Sequence, residues 1–237
     1  MIRFALRALW LPSLLLAVPS VAAPKKGGPH PVLLAAAPRV QSDLRDLTLL
    51  ATAVPDAKEN RNGSAALVRN DQGRDGGLPA CWLLGLEGRP ATPGRVDAVI
   101  KLPVCPAGPP KGTELGRMML GKRGAWRLRL ESARADTFAK GVESRVLWAV
   151  AADAGEGAGL QVVYERTSTT FKSRTDPGTN QLEQCQAPVV SAVGDGSDDE
   201  WPGLATSCET ETMLGSLPKR ERLTFRYQWM GDRYQPR

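Results

Sequence analysis

The stretch "RLTFRYQWM", residues 222–230, alternates apolar and polar side chains. Leu223, Phe225, Tyr227 and Trp229 take every second position, with Thr224, Arg226 and Gln228 between them. Successive side chains of a strand point to opposite faces, so the pattern predicts a half-buried antiparallel strand with one dry face.

The same period recurs earlier in the chain. In "AWRLRLE" (125–131), Trp126, Leu128 and Leu130 oppose Arg127, Arg129 and Glu131, and the glycine-bounded "GKRG" joins this run to "RMML". "RVLWAVAA" (145–152) and "LQVVYERTSTTFKSR" (160–174) flank "DAGEGAG" in the same way, before "TDPGTN" breaks the chain. Upstream, β runs at 46–54, 64–70, 78–86 and 95–105 are separated by Gly, Pro and Asp clusters. Short strands with turn signals between them predict a mainly β fold, an antiparallel β-sandwich or open barrel built from hairpins. Only "ESARADTFAKGVES" (131–144) has a helical look, so at most one short helix is expected.

Residues 106–116, "PAGPPKGTELG", form the strongest linker candidate, because proline and glycine do not extend a strand. The natural subdivision is a β subdomain over 38–105 with Cys81 and Cys105, and a second over 117–237 with Cys185 and Cys208. A single continuous β domain is the alternative. Residues 23–37, "APKKGGPHPVLLAAA", read as a mostly unstructured arm.

The chain opens with Arg3 and Arg7, then an apolar stretch from Ala8 to Val18 and small residues, the pattern of a secretory signal peptide. Ser20 and Ala22 suit the positions before the cut, so residues 1–22 are expected to be removed. No later apolar run reaches the ~20 residues that a spanning helix needs. The arginine- and alanine-rich leader has a bacterial character, and the expected destination is the periplasm or the outside of the cell. Four cysteines in an exported chain imply two disulfides, although three connectivities are open. Spacing favours the local pairs Cys81–Cys105 and Cys185–Cys208. Each closed loop contributes about 3 kcal/mol in the chain-entropy model. Zinc is disfavoured, since there is no Cys-x-x-Cys and only one histidine.

The net charge of the 237-residue chain is +6, falling to +4 once Arg3 and Arg7 leave with the leader, which contains no acid. The basic residues are scattered, unlike a nucleic-acid surface, where they cluster among aromatics. An envelope protein or an anionic polysaccharide remains a candidate partner.

Chemistry-bearing motifs are sparse. "GDGSDDEWPG" (194–203) offers Asp195, Ser197 and Asp199 at EF-hand positions one, three and five, but Glu200 stands where glycine is required and Thr206 where glutamate is required. It reads as a turn, as does "NDQGRDGG" (70–77). His30, between two prolines in the arm, has no fold to hold it against a nucleophile. "SLPK" (216–219) has Ser-x-x-Lys spacing, but Pro218 places it in a turn between strands rather than on a helix. No phosphate loop is present, and "GEGAG" (155–159) lies in a hairpin. No catalytic residue, metal or cofactor is assigned.

Glycoside hydrolysis needs only two acids across a cleft, and Glu183, Glu209 and Glu211 lie on strands where they could line one. The aromatic residues of 225–229, with Trp126 and Trp148, read as core. These features point first to a non-enzymatic binding or structural protein of the bacterial envelope. A carboxylate hydrolase acting on an envelope polysaccharide is the alternative, and a secreted enzyme inhibitor with a stapled 185–208 loop is a third reading.

Overall fold

The computed structural model describes residues 29–55, 63–71, 79–105, 112–137, 140–153, 159–176, 178, 180–191, 201–214 and 217–237. Within them the chain is mostly antiparallel β, arranged as two sheets and one α-helix. The first sheet runs in sequence order through β1 (Leu47–Ala53), β2 (Gly63–Asn70), β3 (Ala80–Arg89) and β4 (Thr92–Lys101). The second has nine strands: β5 (Glu114–Leu120), β6 (Arg123–Asp136), β7 (Gly141–Asp153), β8 (Leu160–Ser173), β9 (Gln181–Cys185), β10 (Val189–Val190), β11 (Leu204–Leu214), β12 (Leu217–Trp229) and β13 (Tyr234–Pro236). Its spatial order is β13-β12-β11-β9-β8-β7-β6-β5, with β10 beside β11, and it does not close into a barrel.

Period-two patterning explains how the sheets stack. From β6, Trp126, Leu128 and Leu130 face the four-stranded sheet and meet Leu67 and Leu83 in one buried cluster. The opposite face of the same strands holds a second cluster, in which Trp148 and Val150 of β7 and Tyr164 of β8 pack with Trp201, Leu204, Tyr227 and Tyr234. The later strands therefore fold back over the concave face of β6, β7 and β8.

Helix α1 (Pro31–Val40) covers the outer face of the four-stranded sheet. Pro31 starts it at no hydrogen-bonding cost, because the first helical N–H has no partner anyway. His30 caps it by accepting from the Val32 N–H at 3.2 Å. Val32 and Ala36, one turn apart, are fully buried against Val68, Leu84 and Leu86. Residues 31–37, expected as part of an unstructured arm, are thus helix, and His30 has a fixed role as a cap. The apolar run "VLLAAA" finds a sheet face to cover, which the local composition did not reveal.

The expected helix at 131–144 is replaced by the β6–β7 hairpin, paired from Ala125↔Ala152 to Asp136↔Gly141. Helix propensity is a weak preference that a long cross-strand ladder overrides. Gly141 belongs to that ladder because it lies under Phe171, whose ring would be 2.5 Å from any added Cβ. Pro218, expected in a turn, lies within β12 opposite Met213.

The first sheet ends at Lys101 and the second begins at Glu114, so the last residues of the proposed 106–116 linker belong to β5. Residues 106–111 lie outside the described residues. Both sheets contribute to one shared core. The disulfides are Cys81–Cys105, with Cα atoms 5.2 Å apart, and Cys185–Cys208, at 4.0 Å. Cys185 and Cys208 are directly opposite one another in the β9–β11 ladder.

Leu128 and Leu223 look equivalent in the alternating pattern, yet the first is fully buried and the second is 44% exposed. Leu128→Ala is expected to lose about 2–5 kcal/mol of unfolding free energy. Leu223→Ala should stay within about 0.5 kcal/mol of the parent. Urea denaturation of both variants checks this, and equal losses would contradict the layering.

Candidate functional site: a polar trough beside the folded-over layer

Strand β9 meets β8 at a single pair, Phe171↔Gln181, and then leaves the plane of the sheet. Two contacts show where it goes. The Trp148 indole N–H on β7 donates to the Cys185 carbonyl at 2.9 Å, and Tyr164 meets Tyr227 edge to face with centroids 4.9 Å apart. Strands β9, β11 and β12 therefore lie across the concave face of β6–β8. The part of that face left uncovered is an open trough of about 560 Å³.

The floor of the trough is set by register. Val142↔Lys172, Ser144↔Thr170 and Val146↔Ser168 pair across β7 and β8, so all six share one face. Arg129 and Glu131 of β6 continue it, and one wall is formed by β9 and the residues that follow it, with Gln184 and Gln186. Arg129 donates to Glu131 at 2.8 Å and to the Gly112 carbonyl at 2.6 Å, which settles that ion pair. The Thr170 hydroxyl donates to the Glu183 carbonyl at 3.1 Å. The side chains of Ser144, Lys172, Gln184 and Gln186 have no partner among the described residues.

The three acids considered for glycoside hydrolysis are each held by an arginine. Glu183 accepts from Arg166 at 2.7 Å, Glu211 from Arg220 at 2.5 Å, and Glu209 is bonded to Arg222. Thr210 is the residue opposite Glu183, so alternation places Glu209 and Glu211 on the other face of the β9–β11 pairing. Glu183 and Glu209 border the same trough, but they do not converge, and Glu211 stands apart. Arg166 also stacks 3.9 Å from the centre of the Phe225 ring. Burial is the largest single influence and works against its charge, but the hydrogen bond it donates to Glu183, together with its interactions with Tyr227 and the Glu183 charge, makes the net shift upward.

Aromatic residues group differently from the sequence expectation. Trp126 lies on the far side of the sheet, in the inter-sheet core under Arg117, and is separated from Trp148 and residues 225–229. Trp201 takes its place, stacked on Trp229 with centroids 3.8 Å apart. Tyr234 meets both rings edge-on, and its hydroxyl donates to the Pro202 carbonyl at 2.8 Å. Trp201 was hidden in the sequence because it follows the acidic stretch and reads as part of a turn. That stretch, 194–200, lies outside the described residues, as do 72–77 and Ser216. Lys219 is exposed and paired with Glu221 at 2.6 Å.

Glu183, Cys185 and Cys208 come within 4.8 Å of one another. Both sulfurs are consumed in the disulfide, and a metal needs thiolate, so this group does not provide a metal site. Among the described residues no helix is long and apolar enough to cross a membrane. The two disulfides are compatible with an exported protein.

Comparison of the chain with known protein families, curated proteins and solved structures finds no match.

The buried phenols give the second core a pH limit. Desolvation raises the ionisation of Tyr164 and of Tyr234 well above the ordinary value near 10. Below pH 10 both folded and unfolded phenols are neutral and stability is complete. As the pH climbs past 10 the unfolded phenols ionise while the folded ones do not, so stability falls, by up to about 1.4 kcal/mol per pH unit for each tyrosine. Urea midpoints measured from pH 9 to pH 11 should drop above 10, and Tyr164→Phe should make that drop shallower.

Proposed function

We propose that this is an exported, non-enzymatic binding protein of the bacterial envelope, and that its trough holds a short stretch of anionic polysaccharide. The leader-like residues 1–22 and the two disulfides support export to the periplasm or beyond it. The observation that carries the binding reading is the group of unsatisfied side chains around the trough. Ser144, Lys172, Gln184 and Gln186, which together carry one hydroxyl, two carboxamides and one ammonium, line it, and their side chains have no partner among the described residues. Carboxamides both donate and accept, so Gln184 and Gln186 suit sugar hydroxyls, and the Lys172 ammonium suits a carboxylate or sulfate on the chain. An open trough admits a polymer without requiring its end.

The pairing of Glu183, Glu209 and Glu211 with arginines on opposite strand faces argues against a carboxylate hydrolase, which needs two acids flanking one bond.

Isothermal titration with polygalacturonate and with uncharged dextran tests the reading. Polygalacturonate is expected to bind and dextran to bind more weakly. Lys172→Ala should lower polygalacturonate affinity about fivefold, the worth of one exposed charge contact. Gln184→Ala combined with Gln186→Ala should weaken both ligands. Absence of binding by either polymer, or chain cleavage abolished by Glu183→Gln, would overturn it.

A further inference from the structure

Strand β12 pairs with β11 along its whole length, from Leu217↔Leu214 to Tyr227↔Leu204. On its other edge it meets β13 only at Tyr227, Gln228 and Trp229. One further bond, from the Arg237 N–H to the Arg226 carbonyl at 2.9 Å, closes that contact. In an antiparallel strand the N–H and C=O of a residue point to the same side, and the side alternates along the chain. Arg226 faces outward, so Thr224, Arg222 and Arg220 face outward as well. Pro218 falls on the same phase, where its missing N–H costs β11 nothing. Residues 217–224 are exposed on both faces. Among the described residues, the outer edge of β12 is thus a vacant lane that prolongs the path of β13.

Charge says what fits the lane. Arg220, Arg222 and Arg226 share one side-chain face, with Glu211 and Glu209 opposite the first two on the β11 side only. Arg226 and Arg237 have no acidic partner among the described residues. A second copy of this chain added antiparallel would set arginine against arginine. A strand carrying acids at alternate positions would instead give each arginine a carboxylate on its open side. We propose that the outer edge of β12, over 218–226, receives an extended acidic segment of a partner protein by strand addition. This surface is separate from the trough and does not depend on its ligand.

The probe is an end-capped peptide in which glutamates alternate with valines, compared with its glutamine counterpart. Titration followed by amide NMR should show shifts and slowed exchange at Arg220, Arg222 and Thr224. Affinity for the acidic peptide should exceed that for the glutamine peptide by on the order of tenfold, from a few cross-strand charge pairs. Arg220→Gln with Arg222→Gln should erase that preference. Thr224→Pro, which deletes an outward N–H and leaves the β11 ladder intact, should abolish binding by both peptides with circular dichroism unchanged. If Thr224→Pro unfolds the protein, the double glutamine variant alone decides. Equal affinity for the two peptides, no binding, or self-association of the protein in place of binding would overturn the proposal.

Discussion

Burial of β7 on both faces is the constraint from which the rest of the architecture follows. Six consecutive residues, Leu147 to Ala152, are removed from water. Leu147, Ala149 and Ala151 look toward the four-stranded sheet, and Trp148, Val150 and Ala152 toward the later strands. An antiparallel strand usually leaves one face wet. This one has none, so a layer must cover each side. The four-stranded sheet with α1 on its back supplies one cover, and the folded-over β9–β13 layer supplies the other. The alanines leave room that larger residues such as Leu67, Leu83 and Tyr164 fill.

The second cover is what creates the trough. It is shorter than the sheet it crosses, so it seals the end of the concave face near Val150 and leaves the end near Val142 open. The Cys185–Cys208 bridge lies where the cover meets its support, with the Cys185 carbonyl bound by Trp148 and Glu183 bound by Arg166. The groove is bounded on its floor by a regular sheet and on its wall by a strand that a disulfide ties to β11. Polar groups held on such a frame lose little freedom when they bind.

Charge placement follows the same layering. Arginines that would be costly half-buried are stacked on rings or paired with acids: Arg129 near Trp148, Arg123 near Trp201, and Arg166 between Phe225 and Glu183. Where the cover runs out, at the exposed start of β12, the chain changes to Pro218, Lys219, Arg220, Glu221 and Arg222. A sheet edge carrying charges and a proline resists pairing with its own kind.

The amino-acid sequence by itself determined the strand-rich class and several of the hairpins, and favoured the local disulfide pairs, because alternation and turn chemistry act over a few residues. It marked Glu183 as worth inspecting, but gave no sign of Ser144, Lys172, Gln184 or Gln186, which are ordinary polar residues on ordinary strands. Tertiary structure alone decided that Trp126 and Trp148 lie on opposite sides of one sheet, that 31–37 is helix, and that 131–144 is hairpin. It also decided that Leu223 stays wet while Tyr227 is dry, although both lie in phase on β12. The reason is physical: a period of two says that a strand has two faces, but which face is covered depends on another layer arriving from far along the chain.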